Sequence, residues 1–288
     1  MNSGWFSLLL LALVLAGGCS DAHPTLDLPA RPADAPTGLE LARALRGMPL
    51  ADRERRVYAE IARGNVPDFL RTLRPVMVSA DVSGSRRTVT FWAAPDYLAV
   101  GSERDFLRIP LSPGAAWRVA TLTDTSLPTP AMADAIWDAA DVRLGPIPIP
   151  PNRWMTTLPV FEDHQRKVQR QRDRAAAPPG ALVAGHKKDV VITPRLADEP
   201  GRVAIYGWHY LDGEPIQRLY LGHTEDWVDY SHGIRLISNR VKVAGEMRAL
   251  SEILVDPEFA PLLSPEGPIP ASVTTPWSGE ATPPLGAP

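Results

Sequence analysis

The chain has 288 residues, 44% of them apolar and 22% charged, which is the balance of a globular protein. A net charge of −3 supplies no basic field for nucleic acid. The one cysteine, Cys19, excludes intrachain disulfides, a Cys-ligated zinc site and a cysteine nucleophile in the body of the protein.

Trp5 to Leu15 reads WFSLLLLALVL. An apolar run of about ten residues is too short for a bilayer, which needs about 20, and has the size of a signal-peptide core. Leu15-Ala16-Gly17-Gly18-Cys19 follows and resembles the lipobox of bacterial lipoproteins. The resemblance implies that residues 1–18 are removed and that Cys19 carries a membrane-anchoring lipid. Ser20 after the cysteine, rather than Asp, is similar to the outer-membrane pattern, which in a host with two membranes implies an anchor in the outer membrane, facing the periplasm or the cell surface. Two features depart from the family: no Lys or Arg precedes the apolar core, and Ala16 stands where Leu is commoner. The structural alternative is an ordinary signal peptide or anchor with a chance cysteine.

Asp21 to Pro36, DAHPTLDLPARPADAP, is rich in Pro and Ala, so residues 19–37 are expected to form a flexible, semi-stiff spacer. A globular domain is expected over 38–270, with a possible subdivision near 175–180 and a Pro-rich, extended tail over 271–288. No hydrophobic segment after the leader is long enough to cross a membrane.

Along the domain, 39–46 and 51–63 space apolar residues at helical intervals, with Gly64 as a C-cap. A short helix is expected over 66–73. VMVSADV, RTVTFWAAP, DYLAVG and FLRIPLSP read as strands between turns. Helical period returns at 114–122 and 130–140. FEDHQRKVQRQRDR reads as a solvated polar helix after a proline-rich crossing at 145–160. DVVITPRL, RVAIYGWHYL, PIQRLYLGH, GIRLIS and RVKVAG predict a sheet, with Asp212-Gly213-Glu214 as a hairpin turn. LSEILVDPEFAPLL predicts a closing helix. Helices first and a mostly antiparallel sheet later predict an α+β fold with a closing C-terminal helix.

Imidazoles, carboxylates and phenols concentrate between residues 209 and 232. His209, His223 and His232 lie among Tyr206, Glu225, Asp226, Asp229 and Tyr230. Neutral imidazoles with a carboxylate suit a catalytic zinc with one open position, so His209, His223 and His232 are the candidate metal ligands. Without metal, His209, Asp229, Tyr230 and His232 are candidate acid–base and transition-state groups. Each has a structural alternative: His209 as a half-buried strand residue, His223 in a solvated turn, His232 as a core histidine. Gly233 predicts a tight turn or close backbone approach. Lys187-Lys188-Asp189 reads as a surface run. Trp227, flanked by acids, is expected to line a groove. A second polar stretch, APDYLAVGSERDFLRIP, offers Tyr97 as a stacking face and Arg104 as a substrate contact, against the alternative of a plain polar hairpin.

Three resemblances touch these residues. SHGIRL is similar to the SHGCIRL motif of L,D-transpeptidases, but the nucleophilic cysteine is missing and Gly233 runs straight into Ile234. Trp208-His209 and the His223-to-Asp229 spacing are similar to elements of zinc peptidases that cut peptidoglycan stems, in reversed order. From GHKKDVVITPRL through YGWH to DYSHGIRL, within residues 65–268, the chain resembles a family of secreted bacterial proteins. That resemblance implies a setting outside the cytoplasm and carries no activity. Two functions are expected on these grounds. One is an envelope hydrolase acting on peptidoglycan or polysaccharide. The other is a non-catalytic lipoprotein that binds a polymer or assembles with a partner.

Overall fold

A computed structural model describes residues 23–274 apart from Ser83. The leader, Cys19 and residues 275–288 lie outside the described residues. The fold is α+β, as the order of elements in the sequence predicts. Helices α1 (Gly38–Leu45) and α2 (Leu50–Ala62) come first. Thr37 caps α1 in a reciprocal box with Glu40, satisfying backbone N–H groups that the first turn leaves free. Strands β1 (Arg74–Val82), β2 (Ser85–Ala93), β3 (Ala99–Gly101) and β4 (Phe106–Arg108) follow. Next are α3 (Pro113–Leu122), β5 (Thr125–Ser126), α4 (Pro130–Ala139), β6 (Val142–Arg143) and α5 (Leu158–Arg174).

The second half holds β7 (Val183–Ala184), β8 (Lys188–Val190), β9 (Arg202–His209), β10 (Pro215–Thr224) and β11 (His232–Gly233). It ends with β12 (Ile237–Ser238), β13 (Arg240–Val243), β14 (Glu246–Ala249), α6 (Leu250–Val255), α7 (Ala260–Leu263) and α8 (Ala271–Thr274). One sheet runs β14-β13-β2-β12-β5, with β1 also pairing β2, and a second runs β10-β9-β8-β11. Most pairs are antiparallel; β11 lies parallel to β8, and β6 parallel to β7.

Four local expectations change. GIRLIS is split between β11 and β12 rather than forming one strand. The closing helix is interrupted at Asp256-Pro257, because proline cannot continue the hydrogen-bonded turn, so α6 and α7 are separate. The polar helix α5 is not solvated all round: Phe161, Glu162, His164, Val168 and Arg172 are buried along one side. The stretch before α1, expected as a flexible spacer, packs on the domain. Leu26 is buried and its N–H donates to the Arg71 carbonyl, while Arg31 bonds Asn65 Oδ1 at 2.9 Å and the Gly101 carbonyl. Composition misses these contacts because they join residues far apart in sequence.

One continuous apolar cluster reaches from Leu26 to Val273, so the link at 175–180 joins parts of one core. Among the described residues no helix is long and apolar enough to cross a membrane.

Candidate active site

The Ser231-His232-Gly233 run enters the second sheet as its parallel edge, where His232 pairs Lys188 and Gly233 pairs Asp189. Parallel pairing to β8 draws Asp229, Tyr230, Lys187 and Lys188 to one end of the sheet. Asp229 organises this end. Its Oδ1 accepts from the Ser231 N–H at 2.7 Å and from the Ser231 hydroxyl at 2.5 Å, and its Oδ2 accepts from the Trp227 indole N–H at 3.3 Å. His232 Nε2 stands 3.9 Å from Asp229 Oδ2. Burial works to raise the Asp229 carboxyl, but His232 and the two Ser231 bonds overcome it and hold it below the usual carboxylate range.

His232 is buried, and neither ring nitrogen has a hydrogen-bond partner. Burial pushes its pKa down to about 4, with Asp229 opposing, so the ring is neutral near pH 7. Lys187 is also buried; its ammonium donates to the Tyr230 carbonyl at 2.5 Å, and burial lowers it to about 7. The expected surface run Lys187-Lys188-Asp189 is therefore mostly interior: Lys187 and Asp189 are buried and only Lys188 is partly exposed. Lys188 lies over the Trp208 ring at 5.5 Å.

Tyr230 does not face the site through its hydroxyl, which accepts from the Ile149 N–H at 2.7 Å and donates to the Ile149 carbonyl at 3.3 Å. This ties down the proline-rich crossing, which also accepts the Tyr230 N–H at the Met155 carbonyl. His164, on α5, is a second buried histidine with both ring nitrogens unpartnered, its ring 4.9 Å from that of Tyr230. Trp208 is close by, with its buried indole N–H also unpartnered. Trp208 has φ 59°, and Gly207 before it φ 94°. Two successive left-handed residues inside a strand mark strain for the tryptophan, and such strain concentrates at functional sites.

His209 belongs to a different set of contacts. Its Nε2 bonds Asp134 Oδ1 at 2.8 Å, its ring stacks on Trp137, and Tyr206 donates to the same carboxylate at 2.9 Å. Gly207 separates this set from Asp189: a Cβ built there would stand 3.1 Å from His209 Cε1 and 3.6 Å from Asp189 Oδ2. Burial raises Asp189 to about 6, with Arg235 and the Tyr97 hydroxyl bond opposing. Among the described residues no three His, Cys, Asp or Glu side chains stand together as a metal site. Of the three expected zinc ligands, His209 bonds Asp134, His223 stacks on Trp227 and His232 stands beside Asp229.

Tyr97 is buried, so it presents no surface stacking face, and Arg104 sits exposed on the loop between β3 and β4. Beneath Tyr97 lies the most charged part of the interior. Asp96 accepts from Arg108 Nε at 2.9 Å and Nη2 at 2.6 Å, from Arg172, from His186 at 3.0 Å and from the Tyr97 N–H at 2.7 Å. Burial opposes its ionisation, yet Arg108 and His186 hold Asp96 well below the usual carboxylate range. Arg235, four residues after Ser231, is fully buried, donates to the Ala94 and Val183 carbonyls and lies 4.2 Å from the Tyr97 ring centre. The sequence carries a signal for this only in retrospect: ionisable residues interrupting apolar β-segments. No protein-family model, curated protein or solved structure matches the chain.

Proposed function

We propose that this protein is an exported cell-envelope lipoprotein, anchored through Cys19, that hydrolyses a bond of peptidoglycan or polysaccharide at the Asp229–His232 pair. The supporting observation is His232 itself: a fully buried imidazole with both nitrogens unpaired, beside an ionised carboxylate. An unsatisfied buried polar group costs free energy, on the order of 1–3 kcal/mol, and such groups persist where water or a reaction uses them. In this reading His232 takes a proton from water as the water oxygen attacks. Asp229, 3.9 Å away, stabilises the imidazolium that forms. Lys187, with its pKa near neutrality, returns a proton to the leaving atom. Ser231 keeps Asp229 fixed. Trp227 bonds Asp229 and reaches the surface.

The test is turnover of isolated cell walls by the full chain and by His232→Gln and His232→Ala. The expected result is loss of turnover in both with a nearly unchanged melting temperature. Equal turnover in the variants, or none in the wild type, would sink the reading.

One observation favours a second reading, a non-catalytic binding or assembly lipoprotein: Asp229 and His232 are only 2% and 1% exposed. Wall binding without product release would select it.

A further inference from the structure

We infer that Tyr220, His223 and Trp227 form a binding subsite for a pyranose sugar of a glycan chain, next to the Asp229–His232 pair. This rests on the reading above for the neighbouring chemistry and specifies the part of the polymer that is held.

The subsite is built by irregularities in β10. Against β9, Gln217 pairs Gly207, Tyr220 pairs Ile205 and His223 pairs Val203. Each step uses three residues of β10 for two of β9. An extra residue in one strand is a bulge, and it re-aims the side chains that follow. In a regular strand Tyr220 and His223 would point to opposite faces; the bulge puts them on one. Gly222 completes the arrangement. A Cβ built there would come within 2.2 Å of the Tyr220 ring, so the phenol lies back across the glycine toward His223.

The result is a row of rings. Tyr220 meets His223 edge-on at 5.1 Å, and His223 stacks on Trp227 at 5.4 Å and 21°. Tyr220 and Trp227 remain 43% and 36% exposed. The Trp227 indole is fixed by its bond to Asp229, so a hydrogen bond joins the platform to the acid–base pair.

The chemistry selects a sugar. Pyranose rings carry apolar C–H faces edged with hydroxyls, and rigid aromatic rings stack on such faces at little entropic cost. Glu225 and Asp226 lie in the turn between His223 and Trp227; Asp226 is exposed and already accepts from the Thr224 hydroxyl, and carboxylates of this kind accept from sugar hydroxyls and repel phosphate. The neighbouring carboxylates disfavour the phosphate backbone of a nucleic acid.

The experiment titrates the full chain with a β-1,4-linked N-acetylglucosamine tetrasaccharide and, separately, with a free stem tetrapeptide, by calorimetry. The tetrasaccharide should bind and the peptide should not. Trp227→Ala should weaken sugar binding at least about tenfold, which is about 1.4 kcal/mol. Gly222→Ala should also weaken it by displacing the Tyr220 ring, while Tyr210→Ala, at an exposed aromatic on the β9–β10 turn outside the subsite, binds as wild type does. Circular dichroism checks that each variant is folded. No sugar binding by the wild type, equal binding by Trp227→Ala, or preference for the peptide overturns the inference. Sugar binding that needs Trp227, with cell walls left intact, overturns the hydrolase alone. Wall turnover indifferent to Trp227 overturns the subsite alone.

Discussion

The α-carbon of Gly233 rests against the ring of Tyr97: a Cβ built at Gly233 would stand 2.5 Å from Tyr97 Cδ1. The ring has nowhere to go. Its hydroxyl donates to Asp189 at 2.8 Å, and the Arg235 guanidinium lies 4.2 Å from the ring centre. The glycine of the SHGIRL segment is therefore needed for close packing, and its backbone is not left-handed.

Gly233→Ala should destabilise the protein by about 1–3 kcal/mol, the usual cost of forcing extra volume into a packed core. Gly145→Ala is the control, since its Cβ would meet only Leu211 at an ordinary 3.7 Å. Urea denaturation of the two variants measures the difference. Equal midpoints would show that the Tyr97 pocket yields.

Asp96 neutralises a buried group of cations, so Asp96→Ala should cost about 3–5 kcal/mol by leaving Arg108 and Arg172 uncompensated in the interior. The loss should appear as a lower denaturation midpoint. A loss under about 1 kcal/mol would mean that water reaches the arginines.

The buried histidines set the acid limb of stability. His186 and His232 both have folded pKa values lowered to about 4, against an ordinary 6.5. The unfolded chain therefore binds more protons between these values, and stability falls as pH drops from about 6.5 to 4. Asp189, raised to about 6, works the other way over the same range, since its contribution is present below its ordinary 3.8 and lost as pH rises through 6. His164, pushed down by burial as well, joins these two histidines against the one carboxyl, so the melting temperature should fall toward pH 4. His232→Gln should flatten that slope. Lys187, lowered to about 7, should make stability climb between pH 7 and 10.5. A melting temperature that rises on acidification to pH 4 contradicts this assignment.

Asp134 holds His209 and Tyr206 at the other set of polar contacts, with its own side chain 48% exposed. Asp134→Ala should lower stability by about 1 kcal/mol, the typical net value of such bonds. Turnover of cell walls should stay within about twofold if the acid–base chemistry belongs to Asp229 and His232. A collapse of turnover in Asp134→Ala would move the chemistry to His209.

Periodicity made α2, α3, α4 and the β1–β2 hairpin legible, because each follows from local spacing of apolar residues and a cap or turn. The density of imidazoles and carboxylates, rather than periodicity, flagged Asp229, His232 and Trp227, which the structure brings together. It failed for His209, which β9 carries to Asp134 on α4, and for Tyr97, which reads as a loop aromatic and lies in the core. It also failed for Lys187, Asp189 and Arg235. Charged side chains read as surface unless their partners are known, and these partners lie at Tyr230, Tyr97 and Ala94.

By itself the sequence determined the α+β order of elements, the acid-rich aromatic stretch near Trp227 and the concentration of imidazoles after residue 208, all of which depend on neighbours in the chain. Tertiary structure alone decided which of those imidazoles meet a carboxylate and which are held apart. That choice depends on the parallel pairing of β11 with β8 and on the bulges of β10, and both are set by contacts between segments remote in sequence.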